Sequence, residues 1–265
     1  MEPSSCKGNL FRKGGHITTR KETALTSPFA RISEKNRFVR KIALRLGVAP
    51  SMLLVSDLKS SRIVEYPWVY ANTIAQGRGK RVLDVGSVGS QLPIALAQLG
   101  YSVWCIDVRP YEYGHLLPGV KSVEGDIRST GFDNCSFDII TAISTIEHIG
   151  LGRYADDEDI IGDKKAVVEI HRLLVPGGSF LLTVPFGKRE TFPSHRVYDT
   201  FGLSKLLDEF NIEFIEHFAR QPSGFWSCSD AKYLEGIRSP RVENGLACVV
   251  ARKPSVPSRR DNSPY

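Results

Sequence analysis

From residue 80 onward, short apolar runs of strand length alternate with longer amphipathic segments of helical period. We predict strands at the apolar, β-branched runs 81–85, 102–106, 121–123, 137–142, 180–184, 212–217 and 246–251. Apolar residues spaced three and four apart predict helices at 91–99, 163–174 and 200–210. Such alternation indicates the α/β class, with a doubly wound, mostly parallel sheet of seven strands covered by helices on both faces.

The pattern is weaker before residue 80 and after residue 252. Residues 27–79 show loosely helical spacing, with one segment at 60–76 in which Pro67 is predicted to interrupt or kink the helix. We therefore expect a basic, flexible arm over 1–26, a helical N-terminal extension over 27–79 and the α/β domain over 80–252. A polar insertion at 220–244 precedes the last strand, and the Pro/Ser-rich residues 253–265 are expected to form a disordered tail.

Basic charge is concentrated near the N-terminus. The 265 residues have a net charge of +6, and residues 1–45 hold eleven Lys/Arg against Glu2, Glu22 and Glu34. A solvated extension would account for this charge. The alternative is that the arm contacts RNA or another polyanion.

The composition favours a protein of a reducing compartment. No run reaches the ~18 apolar residues of a membrane span, and the N-terminus lacks the apolar core of a secretory signal. The five cysteines include no CxxC pair, which argues for reduced thiols and against structural zinc. We expect a cytoplasmic protein. Organelle targeting is the alternative, because Ser, Thr and basic residues are abundant among the first 25 residues.

Acidic residues and glycines occur where the predicted strands end. Asp84 and Gly86 close the first strand, Asp107 closes the second and Asp126 follows the third. Glycine lets the backbone approach a ligand without a Cβ clash, and a carboxylate at the second strand end can accept both hydroxyl protons of a ribose. In a parallel sheet these carboxyl ends share one edge, which is where ligands bind.

This ordered set resembles the class I S-adenosylmethionine-dependent methyltransferases over about residues 80–252. Segments 144–149 and 174–180 are also similar to the regions after strand four and before strand five in that family. The resemblance implies a Rossmann-like methyltransferase fold with S-adenosyl-L-methionine as cofactor, Asp84 and Gly86 at the methionine moiety, Asp107 at the ribose and Asp126 at the adenine. The implied cofactor-binding residues are Asp84, Gly86, Ser87, Gly89, Asp107, Asp126, Ile127 and Ser144.

The glycine loop departs from the family pattern, because Val88 and Ser90 stand where glycines are usual and Gly89 is out of phase. A tighter or differently bent loop is expected. Segments 150–163 and 195–198 look similar to a poorly characterised branch of the family associated with sugar or surface-polymer modification. The Asn/Asp-Pro-Pro-aromatic motif of many amino-group methylases is absent, which favours oxygen or carbon acceptors.

The loops after strands four and five supply the candidate acceptor side. His148 is the candidate base, because its ordinary pKa of ~6.5 leaves it largely neutral at pH 7, and Glu147 is a second candidate that could orient it. Arg196 is expected to hold an anionic part of the acceptor, with Tyr198 on the same rim. The carboxylates of 156–159 are interpreted as a solvated loop, because consecutive residues rarely converge on one ion; no metal site is predicted.

These residues predict methyl transfer to a small-molecule or saccharide-like acceptor at oxygen or carbon. Three alternatives stay open at this point. One is an RNA methyltransferase or RNA-associated assembly factor that uses the basic arm, and another is a non-catalytic protein with the same fold. The third is a nicotinamide enzyme, whose GxGxxG fingerprint is incomplete here. The oligomeric state is left undetermined.

Overall fold

The computed structural model describes residues 60–111, 119–154, 156–237 and 245–255, all within one compact unit, Asp57–Tyr265. The predictions for the arm, for the extension up to residue 59 and for the tail from residue 256 lie outside the described residues. Within the described ranges, no helix is long and apolar enough to cross a membrane.

The described chain forms an eight-stranded sheet flanked by helices. Its strands run in the order β3-β2-β1-β4-β5-β10-β8-β9, with β1 to β5 parallel and β8 to β10 paired antiparallel. The strands are β1 Arg81–Val85, β2 Ser102–Asp107, β3 Val120–Glu124, β4 Phe137–Ile143, β5 Leu174–Pro185, β8 Asn211–Arg220, β9 Trp226–Ser229 and β10 Gly245–Arg252. A separate two-stranded hairpin joins β6 Glu190–Thr191 to β7 Arg196–Val197. The helices are α1 Arg62–Ile74, α2 Leu92–Gln98, α3 Gly162–Leu173, α4 Thr200–Leu206 and α5 Ala231–Gly236.

The doubly wound α/β prediction is confirmed, and the sheet gains one strand over the seven expected. The additional strand is β9, which lies in the segment 220–244 predicted as a polar insertion, together with α5. Its exposed and half-buried residues pair with β8 at the edge of the sheet. An edge strand of this kind carries little hydrophobic signal, since it has a partner on one side only.

Apolar residues on successive positions of the central strands face opposite sides of the sheet, as the two-residue period of a strand requires. Leu83 packs with α3 and α4 in one hydrophobic cluster, whereas Val82 packs with α1 and α2 in the other. In β4, Ile140 and Ile139 divide between the same two clusters. Each fully buried aliphatic side chain contributes about 1.5–3 kcal/mol relative to exposure. These two cores hold the carboxyl ends of the strands in place.

Three local boundaries differ from the prediction. The strand predicted at 180–184 starts earlier, at Leu174, because β5 includes the Pro-Gly-Gly sequence at 176–178 and shifts register against β4 there. Helix α3 starts at Gly162, one residue before the predicted start, and its N-cap residue Ile161 makes no side-chain cap hydrogen bond. Helix α1 continues through Pro67 without interruption.

Candidate functional site

A cleft opens at the carboxyl ends of β1 to β4, where the switch-point rule for open α/β sheets places ligands. Five of the eight residues expected at the cofactor line it, together with His148. The cleft is lined by Arg62, Val85, Gly86, Val88, Ile106, Asp107, Val108, Arg109, Gly125, Asp126, Ile127, Ser144, Thr145, His148, Ile149, Tyr154 and Asp156. The expected residues that it leaves out are Asp84, Ser87 and Gly89.

The floor of the cleft is the turn after β1. Gly86 has a φ of +79°, and a Cβ at this position would lie 2.4 Å from side-chain atoms of Thr145. Its amide donates to the carbonyl of Ile106 at 2.9 Å, which ties the turn to β2. Ser87 is fully buried and donates its hydroxyl to the carbonyl of Asp84 at 2.9 Å. Glycine at position 86 therefore permits a backbone approach that any side chain would block, and Ser87 supports the turn from below.

Asp84 lies beneath this turn and does not reach the cleft. Its side chain is 2% exposed and accepts a hydrogen bond of 2.6 Å from the Thr141 hydroxyl of β4. Burial raises the pKa of Asp84 to about 7. Its carboxyl group therefore couples β1 to β4 under the glycine turn, in place of the direct methionine contact that the sequence suggested.

Asp107 ends β2 and lines the cleft with both carboxylate oxygens occupied. Its Oδ1 accepts from the amide and Nε of Arg109 at 3.1 and 3.2 Å. Its Oδ2 accepts from the Val88 amide at 3.1 Å and from Nη2 of Arg109 at 3.4 Å. The Arg109 guanidinium also lies over the ring of Tyr154, 4.5 Å from its centroid. A ribose diol that bound Asp107 would therefore have to take the place of the Arg109 side chain.

The next strand end contributes Asp126 and Ile127. Asp126 Oδ2 accepts from Nη2 and Nε of Arg128 at 2.6 and 2.9 Å. Burial acts to raise the pKa of Asp126, but the hydrogen bonds from Arg128 outweigh it and lower that pKa below its ordinary value. Ile127, 6% exposed, adds an apolar wall beside this carboxylate.

Helix α1 brings to the site two residues that sequence reasoning missed. Glu65 is fully buried and accepts from the hydroxyls of Ser144 at 2.5 Å and Thr183 at 2.6 Å. Its other oxygen accepts from Arg62 Nη1 at 3.0 Å. Ser144, at a φ of +45°, lines the cleft, and so does Arg62. Glu65 therefore positions a hydroxyl and a cation at the edge of the cleft.

His148 lines the cleft as a neutral imidazole. Its Nδ1 lies 2.5 Å from the carbonyl oxygen of Ser194, and since a carbonyl only accepts, Nδ1 carries the proton. Burial lowers the pKa of His148 to about 4, which leaves Nε2 with a free lone pair at neutral pH. Glu147 is 1% exposed and does not line the cleft; its Oε1 is 3.6 Å from Nε2, too far for a hydrogen bond.

Arg196 and Tyr198, expected at the acceptor, lie behind the cleft. Arg196 is 7% exposed, and its guanidinium donates to the carbonyls of Ile149 at 2.7 Å and Ile160 at 3.4 Å. The Tyr198 hydroxyl donates to Asp163 Oδ2 at 2.9 Å. Arg196 thus binds the two ends of the acidic loop, residues 149–161, and Tyr198 binds the start of α3 directly after it.

The acidic loop is held by hydrogen bonds within it and by an ion pair to α3. Asp156 accepts from the amides of Gly150 at 2.6 Å and Tyr154 at 3.3 Å. Asp159 is paired with Lys165 at 2.7 Å. Among the residues that the structure describes, no group of three or more His, Cys, Asp or Glu side chains could hold a metal ion. These carboxylates shape the loop that carries Arg153 and Tyr154.

Comparison with known proteins found one matching protein family and a set of similar solved structures. The sequence model of the family described as "Caenorhabditis protein of unknown function, DUF268" matches residues 112–231. No curated protein matches the chain.

The solved structures share the fold at low identity. An S-adenosylmethionine-dependent methyltransferase from Methanosarcina mazei is 17% identical, with a TM-score of 0.51 over 69% of this chain and 97% of that chain. The N-methyltransferase NodS from Bradyrhizobium japonicum, solved with S-adenosyl-L-homocysteine, is 14% identical, with a TM-score of 0.50 over 71% of this chain and 85% of that chain. The 4+2 cyclase SpnF is 18% identical, with a TM-score of 0.52 over 68% of this chain and 76% of that chain. The described domain therefore has the Rossmann-like fold of the S-adenosylmethionine-dependent methyltransferases.

Proposed function

We propose that the cleft binds S-adenosyl-L-methionine and that the protein transfers a methyl group to a small-molecule acceptor. The observation that carries the proposal is the position of Asp107. It ends β2 beside a turn in which only glycine fits at position 86, with a second carboxylate, Asp126, at the neighbouring strand end. A carboxylate at the second strand end is the feature that receives a ribose diol in nucleotide-binding α/β sheets.

The cleft suits each part of the cofactor. The open backbone at Gly86 would admit the methionine moiety, and Arg62, held by Glu65, would pair with its carboxylate. Asp107 would accept the ribose hydroxyls once Arg109 moves aside. Asp126 and Ile127 offer a carboxylate acceptor and an apolar wall to the adenine.

When bound, the cofactor would supply a methyl group on a good leaving group, so the protein's contribution is alignment of the acceptor. Positioning alone supplies roughly 7–11 kcal/mol of the barrier in well-oriented reactions. His148 is the residue for this task, because its neutral ring can accept a hydrogen bond from an acceptor O–H or N–H through Nε2. Its pKa of about 4 makes it a weak proton acceptor. We therefore assign it orientation of the acceptor, with the proton passing on to solvent.

The competing functions make different predictions. A nicotinamide enzyme would place a pyrophosphate over the turn at Gly86, and the fingerprint for that turn is incomplete. SpnF, a cyclase, is among the fold's solved members, so a fold match alone does not exclude a reaction other than methyl transfer. An RNA-directed activity would rest on residues 1–45, outside the described chain.

Calorimetric titration with S-adenosyl-L-homocysteine tests the proposal. Wild type should bind it and ignore NADH. Asp107→Ala should lower the affinity by about tenfold or more, because each hydrogen bond to a charged group contributes about 1.5–3 kcal/mol. Asp133→Ala, a change at an exposed carboxylate away from the cleft, is the control and should bind as wild type does. Binding of NADH in preference to the homocysteine, or an unchanged affinity in Asp107→Ala, would overturn the assignment.

A further inference from the structure

Arg153 lies beside His148, which lines the cleft, with its Nη1 3.3 Å from His148 Nδ1. Its Nη1 donates to the Ser194 carbonyl at 3.2 Å, the same oxygen that receives the proton of His148 Nδ1. Its guanidinium also lies over the ring of Tyr154, 5.0 Å from the centroid. The side chain is therefore fixed on one edge, by a carbonyl and an aromatic face, although the residue is exposed.

On the opposite edge of this guanidinium, the residues that the structure describes provide no acceptor. Its one hydrogen bond within the described ranges uses Nη1, and no carboxylate of those ranges lies within 4.0 Å of it. The two arginines that line the cleft differ in this respect. Arg62 is paired with Glu65 at 3.0 Å and Arg109 with Asp107 at 3.2 Å. Arg153 thus keeps Nε and Nη2, the two parallel donors that match a carboxylate or phosphate group.

The surroundings of Arg153 are held in place by contacts on both sides. Tyr154 is also an edge-to-face neighbour of His148, at 5.6 Å between ring centroids. His195, at the tip of the β6–β7 hairpin, lies 6.4 Å from the His148 ring and stacks on Phe192 at 4.9 Å. The loop and the hairpin therefore place Arg153 next to His148 and several aromatic rings.

We propose that Arg153 is the acceptor's anion-binding residue and that the acceptor carries a carboxylate or phosphate group. This inference rests on the proposed function, since it makes the space beside His148 the acceptor pocket. It gives Arg153 the role that sequence reasoning gave to Arg196. The anion would sit on the Nε–Nη2 edge, and the acceptor's nucleophilic group would then be presented to His148.

Titration of protein saturated with S-adenosyl-L-homocysteine tests this assignment, with sodium benzoate and inorganic phosphate as separate probes. Wild type should bind at least one probe saturably, and the tighter of the two identifies the class of anion. Arg153→Gln should weaken that binding by about tenfold or more, because it removes a charge-assisted bidentate pair. Arg153→Lys should weaken it as well, because lysine keeps the charge without the planar fork.

Arg189→Gln is the matched control. Arg189 is also exposed and also lies over an aromatic ring, that of Phe201 at 5.7 Å, and its loss should leave probe binding unchanged. Equal effects at positions 153 and 189, full affinity in Arg153→Lys, or no saturable probe binding would overturn the assignment. If the protein binds S-adenosyl-L-homocysteine but neither probe, only the proposed anion site is refuted. If it binds a probe through Arg153 but does not bind S-adenosyl-L-homocysteine, only the proposed methyl transfer is refuted.

Discussion

Replacing Glu65 should damage both the stability of the domain and its cleft. Its carboxylate is fully buried and accepts hydrogen bonds from three elements: α1 through Arg62, the end of β4 through Ser144, and β5 through Thr183. In Glu65→Ala the two hydroxyls and the guanidinium would lose this acceptor together. Arg62 would also lose the partner that holds it at the rim of the cleft.

The magnitude follows from the burial of the pair. Removing one member of a buried ion pair costs about 3–5 kcal/mol, and the Arg62 side chain, 37% exposed, can recover part of that cost in water. We expect a loss of about 3 kcal/mol, which for a domain of this size lowers Tm by about 6–12 °C. Glu65→Gln keeps the shape and one acceptor oxygen, so its cost should be smaller, about 1–2 kcal/mol.

Thermal melting with calorimetric S-adenosyl-L-homocysteine titration is the assay. Glu216→Gln is the matched control. Glu216 also holds α1, because it accepts from Trp68 Nε1 at 2.6 Å, but it is exposed and lies on β8, which contributes no residue to the cleft lining. The control should cost less than about 1 kcal/mol and leave binding intact. A Glu65→Ala protein that melts and binds like wild type would refute the argument that Glu65 anchors α1 to the site.

Three further perturbations test other parts of the account. Gly86→Ala should abolish S-adenosyl-L-homocysteine binding, because the added Cβ would clash with Thr145. Gly79→Ala has a similar φ of +76° with nothing within 4 Å of its Cβ, so it should cost only the backbone strain of about 1–3 kcal/mol. Equal effects of the two variants on binding would contradict the close approach at Gly86. Burial raises the pKa of Asp84 from 3.8 to about 7, so the folded state retains a proton between those values and stability from this group falls as pH rises through them. In urea melts, the free energy of unfolding of Asp84→Asn should therefore rise relative to that of wild type as the pH increases across that window. A difference between the two proteins that does not change with pH would contradict the raised pKa. Deleting residues 1–26 should weaken RNA retention and flatten its salt dependence if the basic arm binds RNA; unchanged retention would exclude that role.

Much of the fold could be predicted from the sequence, because the buried strands carry strong local patterns. The run 137–142 in β4 is mostly apolar, as is typical of a strand covered on both faces. The strand β9 was missed, because its polar edge sequence has no such pattern. The long β5 was also predicted too short, since the sequence cannot show that a Pro-Gly-Gly turn is absorbed within a strand.

The site residues could be predicted only where a polar side chain stands at or directly after the end of a predicted strand. Asp107 and Asp126 met that condition, and the structure brings both to the cleft. Glu65 did not, because its partners Ser144 and Thr183 lie 79 and 118 residues away along the chain. Arg153 and Arg196 both occupy loops at the same edge, and sequence alone does not reveal which guanidinium is buried among backbone carbonyls.

A crystal structure of the protein with S-adenosyl-L-homocysteine tests the central claim most directly. We expect the ribose hydroxyls within hydrogen-bond distance of the Asp107 carboxylate, the Arg109 side chain displaced from it, and the methionine carboxylate beside Arg62. The adenine should lie against Ile127. A ligand bound elsewhere, or a saturated crystal in which Arg109 still occupies Asp107 and the cleft is empty, would contradict the account.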